Sequence, residues 1–140
     1  MTSNFSASIA AFAKKATERQ DAVLQGVVKE VGQRLVERTP VAAGEARSNW
    51  QSSVNTPAAT HTPDLDPSGS ATIAQIARVA ERSKFGDAVY ILNPAPHIKA
   101  LEDGHSKQAP AGMVSVTISE GRQIVEEVAR RVASGTGEGQ

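Results

Sequence analysis

The side chains best suited to chemistry in this sequence cluster between His97 and Ser106. Two histidines, His97 and His105, flank the carboxylates Glu102 and Asp103, and imidazole combined with carboxylate can bind a metal ion or exchange protons. Ser106 stands beside His105 and adds a hydroxyl that a neighbouring base could activate as a nucleophile. One hypothesis is therefore a small metal-dependent hydrolase or nuclease.

The spacing of these residues argues against that hypothesis. No two histidines are three or four residues apart, as a zinc site on a helix requires, and the chain has no cysteine to complete one. A serine adjacent to a histidine seldom reaches its ring, and no G-x-S-x-G elbow is present. His61 lies in a proline-rich stretch, where a solvated side chain is expected. We therefore expect no enzyme, no catalytic or metal-binding residue, and no cofactor.

Composition limits the remaining classes of function. The chain has 140 residues, with 15 basic and 15 acidic side chains and no cysteine. A balanced charge disfavours a dedicated DNA-binding protein, which needs a basic face. No apolar run approaches the roughly 20 residues of a membrane span. The length predicts a single domain over residues 1–133, and the polar sequence of residues 134–140 predicts a flexible tail. The absence of cysteine and of a secretory signal pattern predicts synthesis in the cytoplasm.

Large apolar side chains are scarce in this sequence. Val, Ile, Leu and Phe account for 29 of the 140 residues, about 21 %, close to the level at which chains have difficulty folding alone. Contacts between subunits would supply the missing burial, so the composition favours an oligomer.

The N-terminal third predicts one long helix over residues 5–38. Apolar side chains recur there at steps of three and four, as one face of a helix requires. Arg34 and Arg38 suit the negative end of the helix dipole, and Pro40 prevents continuation. Two glycines lower the helix propensity by about 1 kcal/mol each and could bend or break the helix: Gly26 and Gly32.

The middle of the chain predicts two strands and a second helix. Alternating side chains indicate a strand over residues 48–55, and β-branched and aromatic residues indicate another over residues 88–92. Trp50 and Tyr90 lie in these strands, where core packing is favoured over anchoring of an interface. A helix is expected over residues 71–83, with Ser70 as its N-cap. The segment between the first strand and this helix, residues 55–69, is expected to be a long functional or mobile loop.

The C-terminal third predicts a short helix over residues 97–102 and a long one over residues 113–133. Valine and isoleucine alternate at first, as in a strand, but a longer pattern steps by three and four from Val114 to Val132 and favours a helix. The predicted fold class is α+β: long N-terminal and C-terminal helices plus a short helix packed on a small antiparallel sheet. A third strand could lie hidden in the long loop.

Two segments resemble a known family, the neck and tail-completion proteins of tailed bacteriophages, which are described as minor tail or tail-component proteins. The first, from Thr39 to Gln51, reads TPVAAGEARSNWQ and is similar to the family pattern T-P-V-D-T-G-R-x-R-x-x-W. The second, from Tyr90 to Val114, reads YILNPAPHIKALEDGHSKQAPAGMV and is similar to L-E-x-G-x-S-K-Q-A-P-x-G-M-V. Departures from the family include Ala43 in place of Thr, Glu45 in place of a basic residue and His97 in place of Tyr.

The resemblance implies a structural virion protein of a long-tailed bacteriophage. Such a protein forms a ring, hexameric by resemblance, at the head–tail junction and joins the head connector to the tail. Its expected partners are its own copies, head connector or stopper proteins, and tail-tube or tail-terminator proteins. It would surround the DNA channel without sequence-specific DNA binding, would contact no membrane, and would be located in the virion neck or tail. The alternative within this class is a tail-tube terminator, for which more strand is expected.

The second segment also has a physical interpretation of its own. Gly104 permits a left-handed helix C-cap, and Ala109, Ala111 and Gly112 permit close approach of backbones. Packing is favoured for three residues, Leu101, Pro110 and Met113, and an interface role is considered for Lys107 and Gln108. The full set of candidate interface or motif residues is Trp50, Tyr90, Leu101, Glu102, Gly104, Ser106, Lys107, Gln108, Pro110, Gly112 and Met113.

Overall fold

The computed structural model describes residues 2–42 and 44–135, with side chains described from residue 7 onward. The chain is a mixture of helices and one small antiparallel sheet, as the sequence predicts. Its elements are, in order, α1 (Thr2–Arg38), α2 (Glu45–Ser48), β1 (Gln51–Val54), α3 (Ser70–Arg82), β2 (Val89–Leu92), α4 (Ile98–Glu102), α5 (Val114–Ser119) and α6 (Gly121–Ala133).

Helix α1 is continuous, and neither internal glycine breaks it. Residues 7–20 are exposed along their whole length, whereas the part after residue 20 packs on α3 and α6. Gly32 has a packing function, because a Cβ atom placed there would lie 2.6 Å from Cγ2 of Ile76 on α3. The glycine therefore lets the two helices approach closely at the centre of the core.

We expect Gly32→Ala to destabilise the protein by about 1–3 kcal/mol, even though alanine is the better helix former. Ile76 is 1 % exposed, and its branched side chain has little room to move away from the new methyl group. Urea unfolding measures the effect. Gly121→Ala is the matched control, since its Cβ would meet nothing within 4 Å. A Gly32→Ala protein at least as stable as wild type would contradict this account of the packing.

The sheet is shorter than the sequence predicts. β1 pairs antiparallel with β2, with Ser52 opposite Ile91 and Ser53 opposite Tyr90. The strand predicted over residues 48–55 was too long at its N-terminal end, because residues 45–48 form the helical turn α2. Gly44 enters this turn at φ 97°, and its carbonyl accepts a hydrogen bond from Ser48 N–H at 3.1 Å.

The long loop lies along β1 through side-chain hydrogen bonds. The Asn49 side chain bonds both the N–H and the carbonyl of Thr62, and the Gln51 side chain does the same with Thr60. Ser53 Oγ accepts from the N–H of Ala58. The side chains of Asn49, Gln51 and Ser53 thus bond the loop backbone in the way that the backbone of a neighbouring strand would. Among the described residues, the sheet itself has two strands.

The C-terminal helix predicted over residues 113–133 is interrupted at Glu120. Its two parts, α5 and α6, meet at this residue, whose φ of −94° and ψ of 0° are displaced from the usual helical values of about −63° and −42°. The first part is rich in β-branched residues, which favour helix weakly. The apolar steps continue across the interruption, so the pattern alone does not reveal it. The predicted tail has exposed residues at 134 and 135, and residues 136–140 lie outside the described part of the chain.

The start of α3 also differs from prediction. Ser70 is the first helical residue and not the N-cap, a position occupied by Gly69 at φ 78°. A Cβ at Gly69 would lie 2.5 Å from Cγ1 of the buried Val36. Glycine here therefore allows both the backbone conformation and the close contact between the loop and α1.

Candidate functional site

Trp50 anchors the first segment, Thr39 to Gln51, in the core. Its side chain is 5 % exposed, and its indole N–H donates to Thr39 Oγ1 at 2.7 Å. The Thr39 hydroxyl in turn donates to the carbonyl of Leu35 at 2.6 Å, in the last turn of α1. Core packing is thus the observed role of Trp50. The sequence did not single out Thr39 as the partner that such a buried indole requires.

Arg47 ties the first segment to the end of α1 and to the long loop. Its guanidinium donates to three carbonyl oxygens, those of Thr39 at 2.8 Å, Pro67 at 2.9 Å and Glu37 at 3.0 Å. Carbonyls at a helix C-terminus have no partner within the helix, so a cation there is doubly favourable. The first segment is therefore held by its own arginine. Ala43, which departs from the family pattern, lies outside the described residues.

In the second segment, Tyr90 to Val114, helix α4 closes with a Schellman motif. Gly104 has φ 88°, its N–H donates to Leu101 O at 3.1 Å, and His105 N–H donates to Ala100 O at 3.1 Å. This confirms the left-handed C-cap predicted at Gly104. A Cβ on Gly104 would also collide with the carbonyl oxygen of Pro110. Glycine is therefore required here both for the positive φ and for the close approach of Pro110.

Glu102 caps helix α5 from eleven residues away. Its carboxylate accepts from the N–H groups of Met113 at 2.9 Å, Val114 at 2.8 Å and Ser115 at 3.0 Å. Partial burial of this carboxyl opposes ionisation, but the three N–H donors outweigh it and hold the pKa of Glu102 below its ordinary value. Gly112, at φ 82°, passes so close to Glu102 that any side chain would collide with it. The loop between α4 and α5 is therefore held in place by a glutamate of the same segment.

The two segments meet through two amide side chains, those of Gln108 and Asn93. Gln108 accepts from the N–H of Val41 at 3.0 Å and donates to the carbonyl of Val41 at 3.3 Å. Asn93, at the end of β2, donates to the carbonyl of Ala46 at 2.8 Å. Between the segments lies a cleft of about 400 Å³. Its lining includes residues from both segments, among them Pro40, Val41, Ala46, His97, Leu101, Ser106 and Gln108.

The candidate residues divide into packed and exposed groups. Met113 is fully buried, Gly112 is buried, and Leu101 is half-buried against the core. Pro110 was expected to pack, but its side chain is exposed and its backbone alone touches Gly104. Tyr90 is half-buried, on the sheet face shared with Ser53. The candidate residues that are exposed to a second molecule are Lys107, Gln108 and Pro110, and Ser106 is half-buried.

The histidine and carboxylate cluster does not come together as a metal site. Within residues 2–42 and 44–135, no three His, Asp or Glu side chains are grouped closely enough to hold an ion. Glu102 is engaged by backbone N–H groups, and Asp103 pairs with Lys99 at 3.7 Å. His61 is exposed, as expected, and its Nε2 lies 2.6 Å from a carboxylate oxygen of Glu45. That contact links the long loop to α2.

Arg34 and Arg38 have a partner that the sequence did not reveal. Glu120, at the interruption between α5 and α6, accepts from Arg34 at 3.0 Å and from Arg38 at 2.8 Å. These two guanidinium groups lower the pKa of Glu120 to about 2. The ion pairs fix the end of α1 to the junction of the C-terminal helices. The helix dipole accounts for the position of the two arginines in the last turn of α1, but it does not indicate that they contact Glu120.

We expect Glu120→Gln to lower the melting temperature at neutral pH and to have a much smaller effect near pH 2. The folded-state pKa is depressed, so the stabilisation is complete above the ordinary value of 4.5 and is lost as pH falls towards about 2. Thermal unfolding from pH 7 to pH 2 measures this convergence. Glu18→Gln is the control, because the Glu18 side chain is exposed and its distance of 4.0 Å from Lys14 is long for an ion pair. A difference between wild type and Glu120→Gln that does not change with pH would contradict the ion-pair explanation.

Comparison with known proteins assigns this chain to no family, so only its fold and its site indicate its class. No helix in the described ranges has both the length and the apolar character needed to cross a bilayer. The chain matches no protein-family model, no curated protein and no solved structure. The structure is an α+β fold in which the first and second segments are bonded to each other and line one cleft.

Proposed function

We propose that this chain is a structural virion protein of a long-tailed bacteriophage. It forms a ring at the head–tail junction and joins the head connector to the tail. One observation carries the proposal: the two segments that resemble the neck and tail-completion family are in contact, through the hydrogen bonds of Gln108 with Val41 and of Asn93 with Ala46. Segments that lie far apart in the sequence, resemble one family and build one surface are what a shared docking site requires.

The use of polar side chains within this surface supports an assembly function. Arg47, Glu102 and Gln108 bond main-chain atoms and thereby fix loop conformations. Loops held in this way present a preformed surface, which lowers the entropy cost of binding a partner. The same residues would be poor candidates for proton transfer, because their polar atoms are engaged by backbone.

Strand content favours this function over that of a tail-tube terminator, the second candidate. Both would form rings, but a terminator is expected to be richer in strand. β1 and β2 have four residues each, whereas α1 alone has 37.

The test is binding to the virion proteins expected on either side. Light scattering gives the mass of the purified protein alone and after mixing with the head connector and tail-terminator proteins of the same phage. We expect a multimer that binds at least one of them. Lys107→Glu, which reverses an exposed charge on the second segment, should weaken that binding at least tenfold. Lys84→Glu, an equally exposed charge outside both segments, should leave it unchanged.

The proposal fails if the protein binds neither the head connector nor the tail terminator. Equal binding by the Lys107→Glu and wild-type proteins would also contradict it, by removing the second segment from the contact.

A further inference from the structure

The long loop contains a segment that is bonded to the fold but does not enter its core. This segment, here called the strap, is formed by residues 56–65, which read TPAATHTPDL. None of these residues is buried, and Leu65, the one large apolar side chain among them, is 59 % exposed. Burial of apolar surface is the main favourable contribution to a fold, and the strap supplies little of it.

Polar side chains hold the strap in place. Gln51 bonds the N–H of Thr60 at 3.0 Å and its carbonyl at 2.8 Å. Ser53 Oγ accepts from the N–H of Ala58 at 3.2 Å and donates to the carbonyl of Thr56 at 2.7 Å. Further bonds to the strap come from the side chains of Glu45, Ser48 and Asn49. Water can bond the same groups once the strap has left, so each of these bonds contributes little net stability.

Both ends of the strap are anchored separately. Before it, Asn55 has φ 64°, and its side chain bonds Asp87 at 3.1 Å and the N–H of Ala88 at 2.9 Å. After it, the carboxylate of Asp66 accepts from the N–H of Thr72 at 2.9 Å and from its hydroxyl at 2.7 Å. These anchors involve no strap residue, so they stay formed whether or not the strap lies on β1.

An open cavity separates part of the strap from α3. Its volume is about 610 Å³, and most of its lining side chains are polar, among them those of Ser48, Thr60, Thr62, Asp64, Thr72 and Gln75. The strap therefore gains little apolar packing on the side that faces α3.

We propose that the strap opens as one unit, with hinges at Asn55 and Asp66, while the rest of the chain stays folded. Segments that open within a folded protein are those with few buried apolar contacts and with solvent-exposed hydrogen bonds, and the strap has both properties. Each bond depends on chain that its neighbouring bonds also order, so the bonds break together. This inference concerns the loop alone and does not rest on the proposed function.

Opening would free polar groups of the first segment. In the closed strap, the Ser48 hydroxyl donates to the carbonyl of Asp64, and the Gln51 amide bonds Thr60. A molecule that bonds Ser48 or Gln51 therefore competes with the strap and shifts it towards the open state. The strap thus acts as a cover over one side of the first segment.

Cleavage by trypsin measures the opening. The strap has no lysine or arginine, so Ala58→Arg, at an exposed position, gives it a single tryptic site. A protease must hold an extended stretch of chain on both sides of the cleaved bond, so cleavage after position 58 requires the strap to leave β1. Cleavage after Arg34, in the packed part of α1, requires unfolding of the whole chain and is the reference. We expect cleavage after position 58 to be faster by about tenfold or more.

Two further changes in the Ala58→Arg background test the bonds that close the strap. Gln51→Ala and Ser53→Ala should each speed cleavage after position 58 by about tenfold, because each removes two hydrogen bonds of the closed strap. Gln75→Ala is the matched control and should change nothing, since Gln75 lines the cavity from α3 and forms no hydrogen bond with the described strap residues. Circular dichroism during thermal unfolding checks that every variant remains folded.

Two results would overturn the inference. Cleavage after position 58 that is no faster than cleavage after Arg34 would show that the strap opens only when the whole chain unfolds. Fast cleavage that neither Gln51→Ala nor Ser53→Ala changes would show that the side-chain bonds do not hold the strap closed. Neither result bears on the proposed function, because binding to head or tail proteins is measured separately.

Discussion

Trp50→Ala should lower the free energy of unfolding by about 3–5 kcal/mol, the usual cost of removing a buried aromatic side chain. The indole is 5 % exposed, and it packs in the cluster that contains Val36, Ile76 and Met113. A chain with few large apolar residues has little else to fill the resulting cavity. Since single domains have only about 5–15 kcal/mol of stability, much of the variant would be unfolded at 37 °C. Urea unfolding followed by circular dichroism measures the loss, because the variant has no tryptophan left to fluoresce.

Two milder variants separate volume from hydrogen bonding at this position. Thr39→Val keeps the size of the residue but leaves the indole N–H without its 2.7 Å partner, at an expected cost of about 1–3 kcal/mol. Trp50→Phe removes the donor together with part of the volume and should fall between Thr39→Val and Trp50→Ala. If Trp50→Ala were as stable as wild type to within 1 kcal/mol, Trp50 would not be the anchor of the first segment.

Glu102→Gln is the second change with a large expected effect, a loss of about 2–3 kcal/mol at neutral pH. The carboxylate accepts three main-chain N–H groups at the start of α5, and hydrogen bonds to a charged group are the stronger kind. Glutamine retains one acceptor oxygen but turns an NH₂ donor towards backbone donors. Glu126→Gln on the exposed face of α6, where Glu126 lies 3.3 Å from Arg122, should change stability by less than about 0.5 kcal/mol.

The pH dependence of this variant follows from the sign of the pKa shift. The pKa of Glu102 is lowered from 4.5 in the folded chain, so its stabilisation is complete above that ordinary value. It is lost as pH falls through the lowered folded-state pKa. The difference in stability between wild type and Glu102→Gln should therefore be constant above about pH 5.5 and shrink in more acidic solution. A difference that grows as the solution is acidified would show that the carboxylate is not the capping species.

Features of the fold that depend on local pattern could be predicted from the sequence. Helices α1 and α3 follow from apolar spacing, β2 from its β-branched residues, and the cap at Gly104 from the residue type. The interruption at Glu120 could not be predicted in this way, because the apolar steps of the C-terminal helices continue through it. Glu120 there bonds Arg34 and Arg38, more than 80 residues away in the sequence, and no local pattern indicates such partners.

The candidate site was predictable in its location but not in its contacts. The resemblance indicated both segments, and the small residues around Gly112 indicated close packing. Glu102 was weighed as a metal-binding or catalytic carboxylate and was included among the interface or motif residues, whereas in the structure it caps α5. Its role depends on the loop returning eleven residues later, which spacing alone does not show. Arg47 and Thr39 were not singled out, because their partners are main-chain atoms whose positions follow from the fold.

The side-chain bonds between the long loop and β1 have a consequence for hydrogen exchange. The N–H groups of Ala58, Thr60 and Thr62 are held by Ser53, Gln51 and Asn49, so every second amide of this stretch should exchange slowly with solvent deuterium. Such alternation is the signature of an edge strand, which has one side bonded and the other facing water. In this protein it would arise with no backbone ladder, and it would disappear one residue at a time as each of the three polar side chains is removed.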